Sequence, residues 1–300
     1  MQHQVILDFD NTMGIAGCDI DDGLALLYLL GCADADILGC TCAYGNSDMD
    51  TVYANTADLF AKLHLDLPFY EGAHAPCDAH GTESARSPAS RFLAETVAAH
   101  PGKIDLLVTG STTNIMGAVQ ENPCFLDELC SLTFMGGITQ QLVFDGAIMD
   151  ELNFSCDSIA TAQALQARCR VTVATAQHCL PAYFRPQEFE KNLLLDGVAS
   201  GGAVHERCRY WFADMERRYG LDGFVCWDVV AAAALIQPEL FDDEIMHVVA
   251  DPSYLRKGFL WQGVPGRDTT CDIHTPVIRD AELFCHEMYA AWRRAVERIG

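Results

Sequence analysis

Apolar runs of strand length alternate with helix-period patterns along most of the chain. Gln4–Leu7, Ile37–Tyr44, Ile104–Thr109, Leu129–Met135 and Arg170–Ala174 are short and almost continuously apolar, as strands buried on both faces are. Between them, apolar residues recurring with the 3.6-residue period predict helices near Asp22–Leu30, Asp48–Leu63, Pro88–Ala99, Thr113–Val119 and Asp157–Ala167. This alternation predicts an α/β fold, a Rossmann-like, mostly parallel sheet with helices on both faces. No internal repeat or low-complexity linker divides residues 1–300, so one domain is expected. Tyr70–Ser90, rich in Gly, Pro, His and Ser, has the composition of a long surface loop. The aromatic and charged helical stretch from Pro186 to Tyr219 suits a lid region, which the pattern carries to about residue 226.

Composition narrows the partners. Half of the 300 residues are apolar, enough for a large core. Asp plus Glu number 42 against 19 Lys plus Arg, a formal charge of −23, and no basic cluster offsets it. A nucleic-acid groove or an acidic membrane surface is therefore not expected. No apolar stretch approaches the roughly 20 residues that span a bilayer, and the first apolar run is interrupted at Asp8, unlike a signal peptide. A cytoplasmic location with reduced thiols is expected. The 14 cysteines contain no C-x-x-C pair, which argues for small core residues rather than structural zinc. No G-x-x-x-x-G-K-[ST] and no G-x-G-x-x-G after a strand is present, so ATP and NAD have no cradle.

In doubly wound sheets ligands sit beyond the carboxyl ends of the strands, so the residues that follow strands carry the chemistry. The first strand runs into Asp8-Phe9-Asp10, and Asp21-Asp22 opens the next helix. A helix N-cap accounts for one of these carboxylates but not for four. Like charges gathered at a strand end need protons or a cation, and a hard divalent ion with oxygen ligands suits them. Further along stand Gly45-Asn46, Gly110-Ser111-Thr112-Thr113-Asn114, Met135-Gly136-Gly137, Glu151-Leu152-Asn153 and Trp227-Asp228. In extended chain Glu151 and Asn153 would point the same way.

In this order the motifs resemble the inosine–uridine-preferring nucleoside hydrolase family. Asp8-x-Asp10, Asp21-Asp22, Gly45-Asn46, Thr113-Asn114, Met135-Gly136-Gly137, Glu151-x-Asn153 with Asp157, and Asp228 match across roughly residues 4 to 240. The resemblance implies hydrolysis of the N-glycosidic bond of ribonucleosides by a homodimer or homotetramer holding one Ca²⁺. By the same resemblance Asp10, Asp22, Asp228 and the main-chain carbonyl of Thr113 would hold the ion, and Asp10 would also act on the attacking water. Asp21, Asn46, Glu151 and Asn153 would clamp the ribose hydroxyls. His80, beside Gly81, would approach the base, and Tyr219, before Gly220-Leu221-Asp222-Gly223, would approach the base or a 5′-hydroxyl.

Three departures stand out. Ten residues separate Asp10 from Asp21 where the family keeps a short interval, which could permute the roles of Asp8, Asp10 and Asp19. Asp145 stands six residues before Glu151, where the family often has Asn, and would alter contact with the 5′ end of the sugar. Trp227 precedes Asp228 where many members place a His as leaving-group acid, and a stacking Trp favours purine nucleosides. Two alternatives compete. Asp8-x-Asp10-x-Thr12 also resembles the nucleophile motif of haloacid-dehalogenase-type phosphatases, with Asp242-Asp243, following a Pro-Glu-Leu-Phe turn, as the late acidic pair. A nucleoside-binding protein without turnover is the other.

Overall fold

A computed structural model describes residues 2–76, 85–267 and 269–299. Its centre is a sheet of β1 (His3–Phe9), β2 (Ala35–Cys42), β3 (Phe69–Tyr70), β4 (Ile104–Val108), β5 (Ser131–Met135), β6 (Arg170–Ala174), β7 (Phe241–Val249) and β8 (Thr270–Ile278). In space the order is β7-β8-β6-β5-β4-β1-β2-β3, and each pairing is parallel except β7 with β8. The five strands expected from the apolar runs are all present. Three more, β3, β7 and β8, were not expected, and Asp242-Asp243, which follows the 3-10 turn Pro238–Leu240 as expected, lies at the start of β7.

The period of two along β1 sorts its side chains to opposite faces. Val5, Leu7 and Phe9 enter the core under helices Asp21–Gly31 and Trp227–Ile236, while Ile6 enters the core under Pro88–Ala99 and Thr113–Glu121. Both faces of the sheet are thus covered, as the apolar strands required. β1 lies between β2 and β4, so the chain leaves it in opposite directions at its carboxyl end. That is the topological switch point, where the two crossovers part and leave a crevice.

The presumed lid is two helices, Pro186–Leu193 and Ala199–Tyr219, parted near Gly197, whose φ of 79° breaks the helix. Their apolar faces are core: Phe189, Val204 and Cys208 are buried, and Phe189 packs its ring 5.9 Å from Trp292 of the C-terminal helix Ala281–Ile299. The polar face of the longer helix holds the loop between Asp10 and Asp21. Arg207 donates to Met13 O at 2.8 Å, Tyr210 Oη to Cys18 O at 3.0 Å and Arg218 to Gly17 O at 2.7 Å. None of the described helices is long and apolar enough to cross a membrane.

Candidate active site

The crevice at the switch point is lined with acid. Asp10 follows β1 and is fully buried, and Gly45 and Gly110, which follow β2 and β4, leave room for it. A Cβ on Gly45 would fall 2.0 Å from Asp10 Oδ2, and one on Gly110 would fall 3.0 Å from the Asp10 nitrogen. The Asn46 N–H then donates to Asp10 Oδ2 at 2.5 Å, and the Asn46 amide donates to Asp10 Oδ1 at 3.3 Å and to Asp22 Oδ2 at 3.2 Å. Asp22 Oδ1 also accepts the Asp10 N–H at 3.2 Å and the Thr109 hydroxyl at 2.8 Å.

Two helix N-termini face each other across the crevice. Asp21 and Asp22 stand in the first turn of helix Asp21–Gly31 and Asp228 in the first turn of helix Trp227–Ile236, where helix dipoles favour negative charge. Asp21 Oδ2 accepts the N–H groups of Trp227 at 3.1 Å and Asp228 at 3.2 Å, which stitches the two helices together. Asp21, Asp22 and Asp228 are buried and place one oxygen each within 4.8 Å of one another.

Burial pushes all these carboxyls up. Asp10 is raised to about 6 by burial, against the opposing hydrogen bonds from Asn46. Asp22 and Asp228 are held well above the usual carboxylate range by burial and then by neighbouring carboxylates; every charge acting on Asp228 is another Asp. Such a group stays ionised only if a cation enters. The donor set, all oxygen and all anionic, fits a hard divalent ion. Thr113, expected to offer its carbonyl, opens helix Thr113–Glu121 with its hydroxyl donating to Asp157 Oδ2 at 2.8 Å, and it does not line the cavity.

A cavity of about 160 Å³ opens above this cluster. Asp19, Asp21, Asn46, Thr109, Glu151, Asn153, Trp227 and Asp228 are among the residues that line it. Glu151 and Asn153 do not extend in parallel: Asn153 opens the short helix Asn153–Cys156, and Glu151 caps it. The Glu151 carboxylate accepts N–H groups of Phe154 at 2.7 Å, Ser155 at 3.0 Å and Gly137 at 3.1 Å. Asn153 Nδ2 donates to Met135 O at 3.1 Å. The Met135-Gly136-Gly137 and Glu151-x-Asn153 motifs are therefore one hydrogen-bonded unit. Tyr219 lies outside the cavity lining, its ring edge-on to Phe144 at 6.1 Å, and His80 lies outside the described residues.

Some lining residues were not anticipated. Leu142 and Met149 come from a hairpin, Leu142–Phe144 with Ala147–Met149, that lies over the cavity. Its turn is Asp145-Gly146, both at positive φ (46° and 79°), and an Asp-Gly pair between apolar residues is a sequence signal that would have found it. Asp145 accordingly faces Gly220 at the end of the long helix and does not line the cavity. Asp8, the nucleophile of the phosphatase reading, faces the other side of the sheet. Its Oδ1 accepts the Thr41 hydroxyl at 2.5 Å and the Asn114 amide at 2.8 Å, and it is fully buried outside the cavity. Asp242 and Asp243 pair with Arg279, Arg170 and His274 on the far edge of the sheet.

Residues 5–281 match the inosine-uridine preferring nucleoside hydrolase family. The chain belongs to this family. Among curated relatives it is similar to the pyrimidine-specific ribonucleoside hydrolase RihB of Escherichia coli strain SE11, 25% identical over 157 residues, or 45% of this chain and 48% of the relative. The chain thus spans about half the length of the curated relatives it matches. Among solved structures it resembles the purine-preferring ribonucleoside hydrolase of Gardnerella vaginalis, with TM-score 0.83 and 21% identity over 99% of this chain and 100% of that one. A plant nucleoside hydrolase gives TM-score 0.80 at 19% identity over 98% and 99%. These likenesses establish the nucleoside hydrolase fold, and the sequence match establishes the family.

Proposed function

We propose that the protein hydrolyses the N-glycosidic bond of ribonucleosides to free base and ribose. The observation that carries this is the buried acidic cluster at the switch point, where Asp21, Asp22 and Asp228 converge within 4.8 Å beside Asp10 and beneath an open cavity. The proposed ion is Ca²⁺, held by Asp10, Asp22, Asp228 and the Thr113 carbonyl, and when bound it supplies fixed positive charge that keeps these carboxylates ionised and makes water more acidic.

Asp10 takes the proton of the attacking water. The two Asn46 hydrogen bonds hold its orientation toward that water. Asp21, Asn46, Glu151 and Asn153 line the cavity and receive the ribose hydroxyls. The negative charge of Asp21 and Glu151 stabilises the ring as positive charge develops on it. Asn46 binds ribose while bridging Asp10 and Asp22, so ribose binding and base orientation are coupled.

Trp227 lines the cavity where the base would sit and supports a preference for purines, which offer a larger stacking face and N7 as a proton acceptor. The relatives named above include one pyrimidine-specific and one purine-preferring enzyme, so this preference rests on Trp227. The test is release of free ribose from inosine, adenosine, uridine and cytidine. Inosine and adenosine should exceed both pyrimidine nucleosides in kcat/KM. Tight binding of inosine without ribose release would favour a binding protein and overturn the proposal.

A further inference from the structure

Two thiols stand where neighbouring strands begin, at the end of the sheet remote from the cavity. Cys130 precedes β5 and Cys169 precedes β6, and the two strands run parallel with Ser131 beside Arg170. One residue back, the same register sets Cys130 beside Cys169. The Cys130 N–H donates to Ile104 O at 2.9 Å, which keeps its backbone in the ladder with β4. Neighbouring strands stand about 4.8 Å apart. That lies inside the roughly 4.4–6.8 Å between Cα atoms at which two cysteine sulfurs are bridged without moving the backbone. Cys130 is exposed and Cys169 half-buried, so the pair is open to small molecules.

The surroundings keep both sulfurs protonated. Burial pushes the Cys169 thiol up to about 11, and the charge that adds most to this is that of Cys130, ahead of Asp127 and Asp105. Burial and then the Asp105 carboxylate push Cys130 up as well. Asp105 is held in place by His3 Nδ1 at 2.8 Å and by the Ser131 hydroxyl, which donates to it at 2.5 Å. Two thiolates here would crowd against each other and against that carboxylate. Reagents that need a thiolate, such as alkyl halides or disulfides, are therefore disfavoured. A reagent that takes two neutral thiols is not.

We propose that Cys130 and Cys169 form a dithiol site for trivalent organoarsenicals. The As=O bond of R–As=O breaks, two As–S bonds form, and both S–H protons leave with the oxygen as one water. Arsenic stays trivalent, no oxidant enters and no charge is created. A single cysteine gives one As–S bond only, so a pair is favoured over any lone thiol. Cys271 of β8 also lies near the level of Cys169, since Thr172 of β6 pairs with His274 three residues further on. Its Sγ, however, donates to Val248 O at 3.7 Å, on the side of β8 away from β6. Met135, at the other end of β5, lines the cavity, so the dithiol and the acidic cluster are separate sites.

The probe is phenylarsine oxide, added to the whole chain kept reduced with a phosphine. Intact mass should show one arsenical per chain, bound with loss of one water, and digestion should place it across Cys130 and Cys169. The adduct should resist a monothiol and come off with a dithiol. Cys130→Ser and Cys169→Ser should each lower the affinity by roughly 10²-fold or more, the gain that a second bond within one molecule brings. Cys271→Ser should bind as the wild type does. If a Ser variant does not fold, alkylation of the wild-type protein decides, since phenylarsine oxide should protect Cys130 and Cys169 together. No adduct, an adduct carried by any other pair (Cys169 with Cys271 included), or binding unchanged in Cys130→Ser would overturn the inference.

Discussion

Asn46 holds Asp10 by two bonds, its N–H on Oδ2 at 2.5 Å and its side-chain amide on Oδ1 at 3.3 Å. The same amide reaches Asp22 at 3.2 Å, so one residue at the end of β2 orients a carboxylate from β1 and another from the next helix. Asn46→Ala would remove the amide bonds to Asp10 Oδ1 and Asp22 Oδ2 and keep only the main-chain N–H on Asp10 Oδ2. The expected result is a fall in kcat of roughly 10–10²-fold with the protein still folded, since one positioning contact is lost rather than the base itself. Unchanged kcat would mean that Asp10 needs no such orientation.

Asp10→Asn removes the proton acceptor and keeps the shape. Turnover should fall by roughly 10²–10⁴-fold, the usual contribution of a general base, while inosine still binds. Near-full activity in Asp10→Asn with loss in Asp19→Asn would move the base onto the inserted loop.

Asp8→Asn separates the hydrolase from the phosphatase reading. Asp8 faces Thr41 and Asn114 across the sheet, its Oδ2 has no partner, and burial raises its carboxyl to about 7. Asn retains the oxygen that accepts both hydrogen bonds. Ribose release should stay within about threefold of wild type, the scale of a structural substitution remote from the reacting atoms. Loss of activity with the fold intact, read by circular dichroism, would contradict the placement of Asp8 outside the site.

Gly45→Ala tests the crowding around Asp10 from the backbone side. The added methyl would meet Asp10 Oδ2 at 2.0 Å, so Asp10 or the end of β2 must shift. Stability should fall by about 1–3 kcal/mol, as overpacking does, and kcat should fall further than in an alanine variant at Gly102, where nothing lies within 4 Å. Equal kcat in the two variants would show that Asp10 tolerates displacement.

Much of the site could be read directly because β1, β2, β4 and β5 are continuous apolar runs that end in polar residues at one level of the sheet. Asp10, Asn46, Thr109 and Met135 follow from that alone, and Asp21, Asp22 and Asp228 from the acidic openings of two apolar helices. The edge was harder to read. β7 carries Asp242, Asp243 and Glu244 on an exposed margin, where charge guards an unpaired strand and destroys the apolar signature. The extended backbone expected at Glu151–Asn153 was misjudged because a four-residue helix leaves no periodicity to detect. The path of the loop between Asp10 and Asp21 depends on clamps from Arg207, Tyr210 and Arg218 onto Met13, Cys18 and Gly17, about 200 residues away in the chain, which no local pattern encodes.

Trp227→Ala distinguishes stacking from packing. If the indole supports the departing base, inosine hydrolysis should suffer much more than hydrolysis of p-nitrophenyl riboside, whose leaving group needs no proton. Equal losses on both substrates would leave Trp227 as filler in the cavity wall and remove the support for a purine preference.

The central claim is that the buried acidic cluster works with a divalent ion. The direct measurement is ribose release from inosine by protein stripped with a chelator and then titrated with Ca²⁺, beside an Asp22→Ala variant treated identically. Activity of the wild-type protein should vanish on stripping and return with about one equivalent of Ca²⁺, the number one closed set of oxygen ligands accepts, while Asp22→Ala should recover neither Ca²⁺ binding nor turnover. Full activity after stripping, or an Asp22→Ala protein that binds Ca²⁺ and turns over as wild type does, would contradict it.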